Sequence, residues 1–175
     1  MRATDVLLQE HRLIQIAVLG LEEVVHDVES GTCSQIEQAA DVLHFLREFA
    51  EGLHCQKEEA HFFPRLVQHG FGPRAGLVSV MLEEHRNGSA CLERVVDALA
   101  SVNGPASRER FATIARQYIH GVRTHMRTEK TIVFWVATKL FTDEDEEVVL
   151  DGFDRMDGAS RSLLSRLRLR PLAIA

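Results

Sequence analysis

Two stretches of this chain carry the same pair of chemistry-bearing residues, His54-x-x-x-Glu58 and His125-x-x-x-Glu129. A spacing of four puts both side chains on one helix face, about one turn apart. A single exposed pair of this kind is usually a surface contact. Here two pairs occur beside His11 and His85, and imidazole with carboxylate is a donor set for first-row metal ions. The neighbours are apolar: Leu7, Leu8 and Ile14 around His11, Leu53 beside His54, Met81 and Leu82 near His85, Val122 and Met126 near His125. In such company these groups must be paired or hold metal, because lone buried charges are costly. A metal-free, hydrogen-bonded polar layer is the competing reading.

The elements that must position these residues are helices, since hydrophobic period 3.6 recurs along the chain and period two is rare. A first helix is expected over about 4–29, capped by Thr4 or Asp5 and ended by Gly31. A second opens at the capping box Ser34-Gln35-Ile36-Glu37 and runs to His69, with Pro64 loosening it. A third covers about 77–101, and a fourth, capped by Ser107, reaches about Leu140. A shorter helix is expected over about 143–156, and the Arg-rich tail after Gly158 is read as helical as well. Four long helices with short loops predict an all-α, up-down-up-down four-helix bundle with a short C-terminal helical extension. Residues 1–141 form the bundle and 142–175 extend the same domain.

Register along the bundle brings the histidines together. His11 lies 19 residues before Ser30, and His54 lies 19 after Gln35. His85 lies 16 before Ser101, and His125 lies 17 after Arg108. Antiparallel neighbours therefore place each pair at one height. Across the second turn the count is looser by two to six residues, or about 3–9 Å at 1.5 Å per residue. The inward set is His11, His54, Glu58, His85, His125 and Glu129. Four imidazoles and two carboxylates exceed the four ligands of a structural zinc and suit two bridged first-row ions, iron foremost.

His11, His54-Cys55-Gln56-Lys57-Glu58-Glu59, Phe63-Pro64, Glu84-His85 and His125-x-x-x-Glu129 resemble the hemerythrin-like, or HHE cation-binding, domain, over roughly Thr4 to Leu140. The resemblance implies a non-heme di-iron centre inside a four-helix bundle, with a bridging oxide or hydroxide. It implies that Glu58 and Glu129 bridge, that His11 and His54 complete one iron, and that His85 and His125 complete the other. There are departures. Ser89 stands where oxygen-carrying hemerythrins have a second third-helix His, which opens a coordination position and weakens a simple oxygen-carrier reading. Glu129 stands four residues after the last His, where those proteins have an Asp at five. Cys55 replaces a second His of many bacterial relatives and reads as a buried thiol in preference to a thiolate ligand. Phe134-Trp135 replaces Phe-Pro, a change of packing.

A ferritin-like site is excluded by register. Glu23-x-x-His26 and Glu58-x-x-His61 match its string, but they sit 7 and 23 residues from the first turn. That 16-residue difference is about 24 Å of helix. His61 reads as a non-ligand with a place beside the site or on an entry path as the alternative, Glu59 as a surface or supporting group, and His26, His44, His69 and His120 as ordinary histidines.

The net charge of −6 argues against nucleic-acid binding, and no apolar run is long enough to span a bilayer. Three cysteines without paired spacing point to a reducing, cytoplasmic setting. The Arg-rich stretch Arg161 to Arg170 is read as packing over the bundle or a homodimer contact, with contact to an anionic membrane or a partner as the alternative. The expected ligand is small: dioxygen, peroxide or nitric oxide. Peroxide decomposition and an iron- or oxygen-sensing role without turnover both remain open, because no acid–base residue stands out beside the ligands.

Overall fold

The computed structural model describes residues 1–32, 34, 36–72, 74 and 76–166. Five helices account for most of them: α1 (Ala3–Ser30), α2 (36–68), α3 (Leu77–Ala100), α4 (105–140) and α5 (Asp143–Arg166). No strand occurs among the described residues. The chain is an all-helical bundle in which α1 packs on α2 and α4, and α3 packs on α2 and α4.

Local chemistry explains the boundaries. At the start of α1 the Asp5 carboxylate accepts the Arg2 backbone N–H at 2.8 Å, so Asp5 closes the first turn from inside the helix. Gly31 ends α1 with φ of 80°, the left-handed conformation that a side chain would strain. Ser107 likewise works from within α4, where its hydroxyl accepts the Asn103 and Gly104 N–H groups at 2.9 and 3.0 Å. Gln35 and the side chains of residues 36 and 37, on which the second capping box depends, lie outside the described residues. The same holds for the side chains from 160 onward, including the Arg-rich stretch. Helix α5 continues well past the expected residue 156, through Gly158.

Cross-helix contacts run in opposite directions along neighbouring helices. Glu29 with Arg116, Glu22 with Arg123 and His11 with Glu129 join α1 to α4, one number rising as the other falls. Arg47 with Glu93, Glu51 with Ser89 and Glu59 with His85 do the same for α2 and α3.

Two helices depart from regular α geometry. The stretches Leu46–His54, Glu58–Phe62 and Glu129–Val133 adopt wider π turns. Such turns pack extra residues into a given length of helix and recur at functional sites. The second one precedes Pro64, whose ring would otherwise meet the preceding turn, so the expected loosening takes this form.

Two apolar clusters fill the interior. One contains Leu21, Leu46, Phe49, Val95, Phe111 and Tyr118. The other contains Leu7, Phe62, Met81, Phe134 and, from α5, Val149 and Phe153. Helix α5 thus supplies core to one end of the bundle. His11, His54, Glu58, His85 and Glu129 are also buried, and belong to neither cluster.

Candidate metal centre

His54 ends the first wide turn of α2, and Glu58 begins the second. Glu129 begins the wide turn of α4, directly after the α-helical turn that carries His125. A straight-helix count misses these added residues, which is why the second turn of the bundle looked loosely registered. The structure brings Glu58 Oε2 to 3.3 Å from His85 Nε2 across that gap.

The imidazoles meet in pairs. His11 Nε2 and His54 Nε2 are 3.2 Å apart, and His85 Nε2 and His125 Nε2 are 3.1 Å apart. Phe134 stacks on the His11 ring and Phe63 on the His85 ring, fixing both planes. Three of the rings are held from behind. Glu10 Oε2 lies 2.8 Å from His54 Nδ1, Glu59 Oε1 2.7 Å from His85 Nδ1, and Glu84 Oε2 2.7 Å from His125 Nδ1. A carboxylate can only accept, so each Nδ1 donates and a neutral ring then presents a bare lone pair at Nε2. His85 and His125 in that form face each other lone pair to lone pair. A cation between them relieves this; a shared proton would do so only by charging one ring.

The two remaining carboxylates span both pairs. Glu58 Oε1 is 3.7 Å from His54 Nε2 while Oε2 points to His85. Glu129 Oε2 is 3.1 Å from His11 Nε2, and its Oε1 is 3.2 Å from His125 Nε2. All four oxygens are buried and none makes a hydrogen bond of proper geometry. Buried carboxylates without partners are rare and need a reason. The donor atoms fall into two overlapping sets, His11–His54–Glu58–Glu129 and Glu58–His85–His125–Glu129, each within 4.8 Å. Both carboxylates belong to both sets.

Electrostatics point the same way. Burial drives the Glu58 carboxyl well above the usual carboxylate range, and the Glu129 charge beside it adds to the effect. Burial acts on Glu129 too, but His125 and His11 outweigh it and hold that carboxyl well below its ordinary value. His125 feels the converse: burial disfavours its charge, yet Glu129 and Glu58 push it up to about 9. Without a cation, the cluster must borrow protons to balance its charge. The donor set, the orphaned oxygens and the shared carboxylates fit bound metal cations.

The hemerythrin HHE cation-binding domain family matches residues 2–137. The chain belongs to that family. No curated protein and no solved structure matches it. Within this hemerythrin-family chain, the helix α5 lies beyond the matched segment.

The other expected residues separate cleanly. Burial, with nearby carboxylates, pushes the Cys55 thiol well up, which keeps it protonated. His61 packs its ring on Phe153 and against Gly152 of α5, where a Cβ would collide with it. His69 bonds Asp145 at 2.9 Å, and His26, His44 and His120 are exposed. Glu59 does support the site, through His85. Glu10 and Glu84 had no sequence assignment, although each immediately precedes a histidine of the set. Each reaches the histidine of the following helix, a cross-helix relation that spacing along one helix cannot show.

Proposed function

We propose that this chain is a carboxylate-bridged di-iron protein that binds dioxygen or a related small ligand such as peroxide or nitric oxide. The observation that carries this reading is the sharing of Glu58 and Glu129 by two histidine pairs. Two divalent ions held this way would be partly neutralised by the two bridges. The ligands of one ion would be His11 and His54, and of the other His85 and His125, in an up-down-up-down bundle whose opposed contact ladders support that topology. Iron bound here would supply redox chemistry toward the small ligand.

The chain's own residues do the rest. Glu10, Glu59 and Glu84 hold three imidazoles in the tautomer that presents Nε2. Phe63 and Phe134 fix ring planes and exclude water from their sides. A cavity of about 340 Å³ reaches His54, His85 and His125 from the surface, giving a small ligand access on the second pair's side. The free thiols of Cys55 and Cys91 fit a reducing compartment, and no helix among the described residues is long and apolar enough to cross a membrane. Residues 142–166 belong with the same domain, because α5 contributes core and caps the α1 N-terminus through Glu146 Oε2, 2.7 Å from Ala3 N. The rest of the expected extension, 167–175, lies outside the described residues.

Anaerobic loading with Fe(II) followed by elemental analysis tests the reading, with about two irons per chain expected. Iron-free protein after loading would overturn it. Peroxide turnover proportional to iron content would mark an enzyme. A sensor would change stability or partner binding on loading without turnover. The contacts from His54 through Glu10 and Lys57 to Asp157, which tie the first histidine pair to α5, favour this second reading.

A further inference from the structure

The cavity beside the second histidine pair is walled largely by apolar groups, among them Ile14, Ala50, Val122 and Met126. Two carboxyl groups line it, Glu51 and Glu84. Glu84 is committed to His125 Nδ1. Glu51 bonds none of the histidines, and its place in the cavity is built from three sides. Tyr118 donates its hydroxyl to Oε1 at 2.8 Å. Ser89, one turn after His85, donates to Oε2 at 2.9 Å. Gly88 clears the space, since a Cβ there would sit 3.1 and 3.2 Å from the two carboxyl oxygens. Each oxygen thus accepts one bond and keeps a second position for a proton or a ligand.

We propose that Glu51 is the proton donor of this cavity, serving a small protic ligand of the peroxide class held at the histidine end. The proposal rests on the di-iron reading for the ligand's far end. The step moves a proton and no electrons: the Glu51 O–H bond breaks, the proton passes to an acceptor atom of the ligand, and a carboxylate remains. Tyr118 and Ser89 stabilise that carboxylate with the bonds they already make. Water entering at the exposed mouth, near Asn87 and His120, returns the proton.

The surroundings suit the task. The titratable groups around Glu51 are Arg47, His54 and Cys55 on its own helix, Glu84, His85, Cys91 and Glu93 on α3, and Tyr118, His120 and His125 on α4, with Ser89 bonded to it. From α1 the cavity receives Ile14. Burial raises the Glu51 carboxyl above its ordinary range, and the Tyr118 and Ser89 bonds with the two histidines pull it back only in part. Burial also raises the Tyr118 hydroxyl and both thiols, so these neighbours stay neutral. A donor held nearer neutrality than a free carboxyl is better matched to proton transfer.

Glu51→Gln keeps the shape and removes the transferable proton. The metal-free proteins are compared by infrared difference spectroscopy over pH 4 to 8, where the variant is expected to lose the titrating carboxyl band of Glu51. The iron-loaded, oxidised proteins are titrated with azide between pH 6 and 9. The wild type is expected to bind azide more weakly as pH rises, and the variant's dependence to be shallower by one proton, about tenfold per pH unit. Equal iron content in the two proteins separates this from a loading defect. An unchanged infrared spectrum, or equal pH slopes at equal iron content, would overturn the proposal. Failure of both proteins to load would instead sink the di-iron reading, and the infrared comparison would still decide the state of Glu51.

Discussion

Lys57 Nζ lies 2.6 Å from Asp157 Oδ1, joining the inward side of α2 to α5. The same ammonium lies 2.5 Å from Glu10 Oε1, and the other oxygen of Glu10 holds His54 Nδ1. Asp157, Lys57, Glu10 and His54 therefore form one continuous chain of contacts from the C-terminal helix to the first histidine pair. The Lys57 side chain is almost fully buried, whereas that of Asp157 is 39% exposed. The two ends of the chain thus differ in what their loss should do.

Lys57→Met leaves the Glu10 carboxylate buried without its counter-charge. Removing one partner of a buried pair costs about 3–5 kcal/mol, and the lower end is expected because Asp157 is solvent-screened. Loss of the group that orients Glu10 should also lower metal affinity about tenfold, as supporting residues around metal sites do. Asp157→Asn should destabilise by less than about 1 kcal/mol. Urea denaturation of the metal-free proteins and chelator competition with zinc measure both effects. Equal stability losses for the two variants would show that burial at Lys57 does not set the energetics.

The residues that point to the metal layer were legible because they repeat a helical spacing in apolar surroundings. Four helices and their order were legible for the same reason, and so was the stop at Gly31. The wide turns were not. No residue type marks them, and they are set by how α2 and α4 bring His54, Glu58 and Glu129 onto one level. Glu10, Lys57 and Glu51 escaped notice because their meaning lies across helices: each reads as an ordinary surface charge until a neighbour's register is known. The expected end of α5 near residue 156 fell short, because the helix runs on without a break through Gly158.

Glu58 and Glu129 bury four carboxyl oxygens without hydrogen-bond partners, which costs the metal-free fold. Glu58→Leu keeps similar volume, removes two orphaned oxygens and ends the repulsion with Glu129. The metal-free variant is expected to be more stable than the metal-free wild type by about 1–4 kcal/mol. The same change should abolish metal loading. Denaturation midpoints with and without zinc provide the comparison. A variant that is less stable when metal-free would show that Glu58 has structural partners beyond the centre.

Asp145 ties the start of α5 to the end of α2. Its carboxylate accepts the Thr142 backbone N–H at 2.9 Å and meets His69 Nε2 at 2.9 Å, which together hold its pKa down to about 2. A carboxyl lowered on folding stabilises the protein above its unfolded value near 3.8. That contribution is lost as pH falls through about 2. Asp145→Ala should cost about 1 kcal/mol at neutral pH, the worth of a helix cap, and should flatten the acid limb of stability between pH 4 and 2. Denaturation at a series of acid pH values reads this, and an unchanged acid limb would remove Asp145 from the account.

His125 gives metal loading and metal-free stability opposite pH slopes. Its folded pKa of about 9 lies above the ordinary 6.5, so the protonated ring is the form that folding favours. That contribution is complete below about 6.5 and disappears as pH rises through about 9. A metal ion needs the neutral ring and must displace the proton. Between these limits, metal-free stability should fall with rising pH while zinc affinity rises about tenfold per unit from this one proton. Proton release on loading in weakly buffered solution, measured at pH 7, should include this proton, and His125→Ala should lose it along with the metal. Zinc affinity that stays flat between pH 6.5 and 8.5 would mean that His125 is already neutral in the metal-free fold.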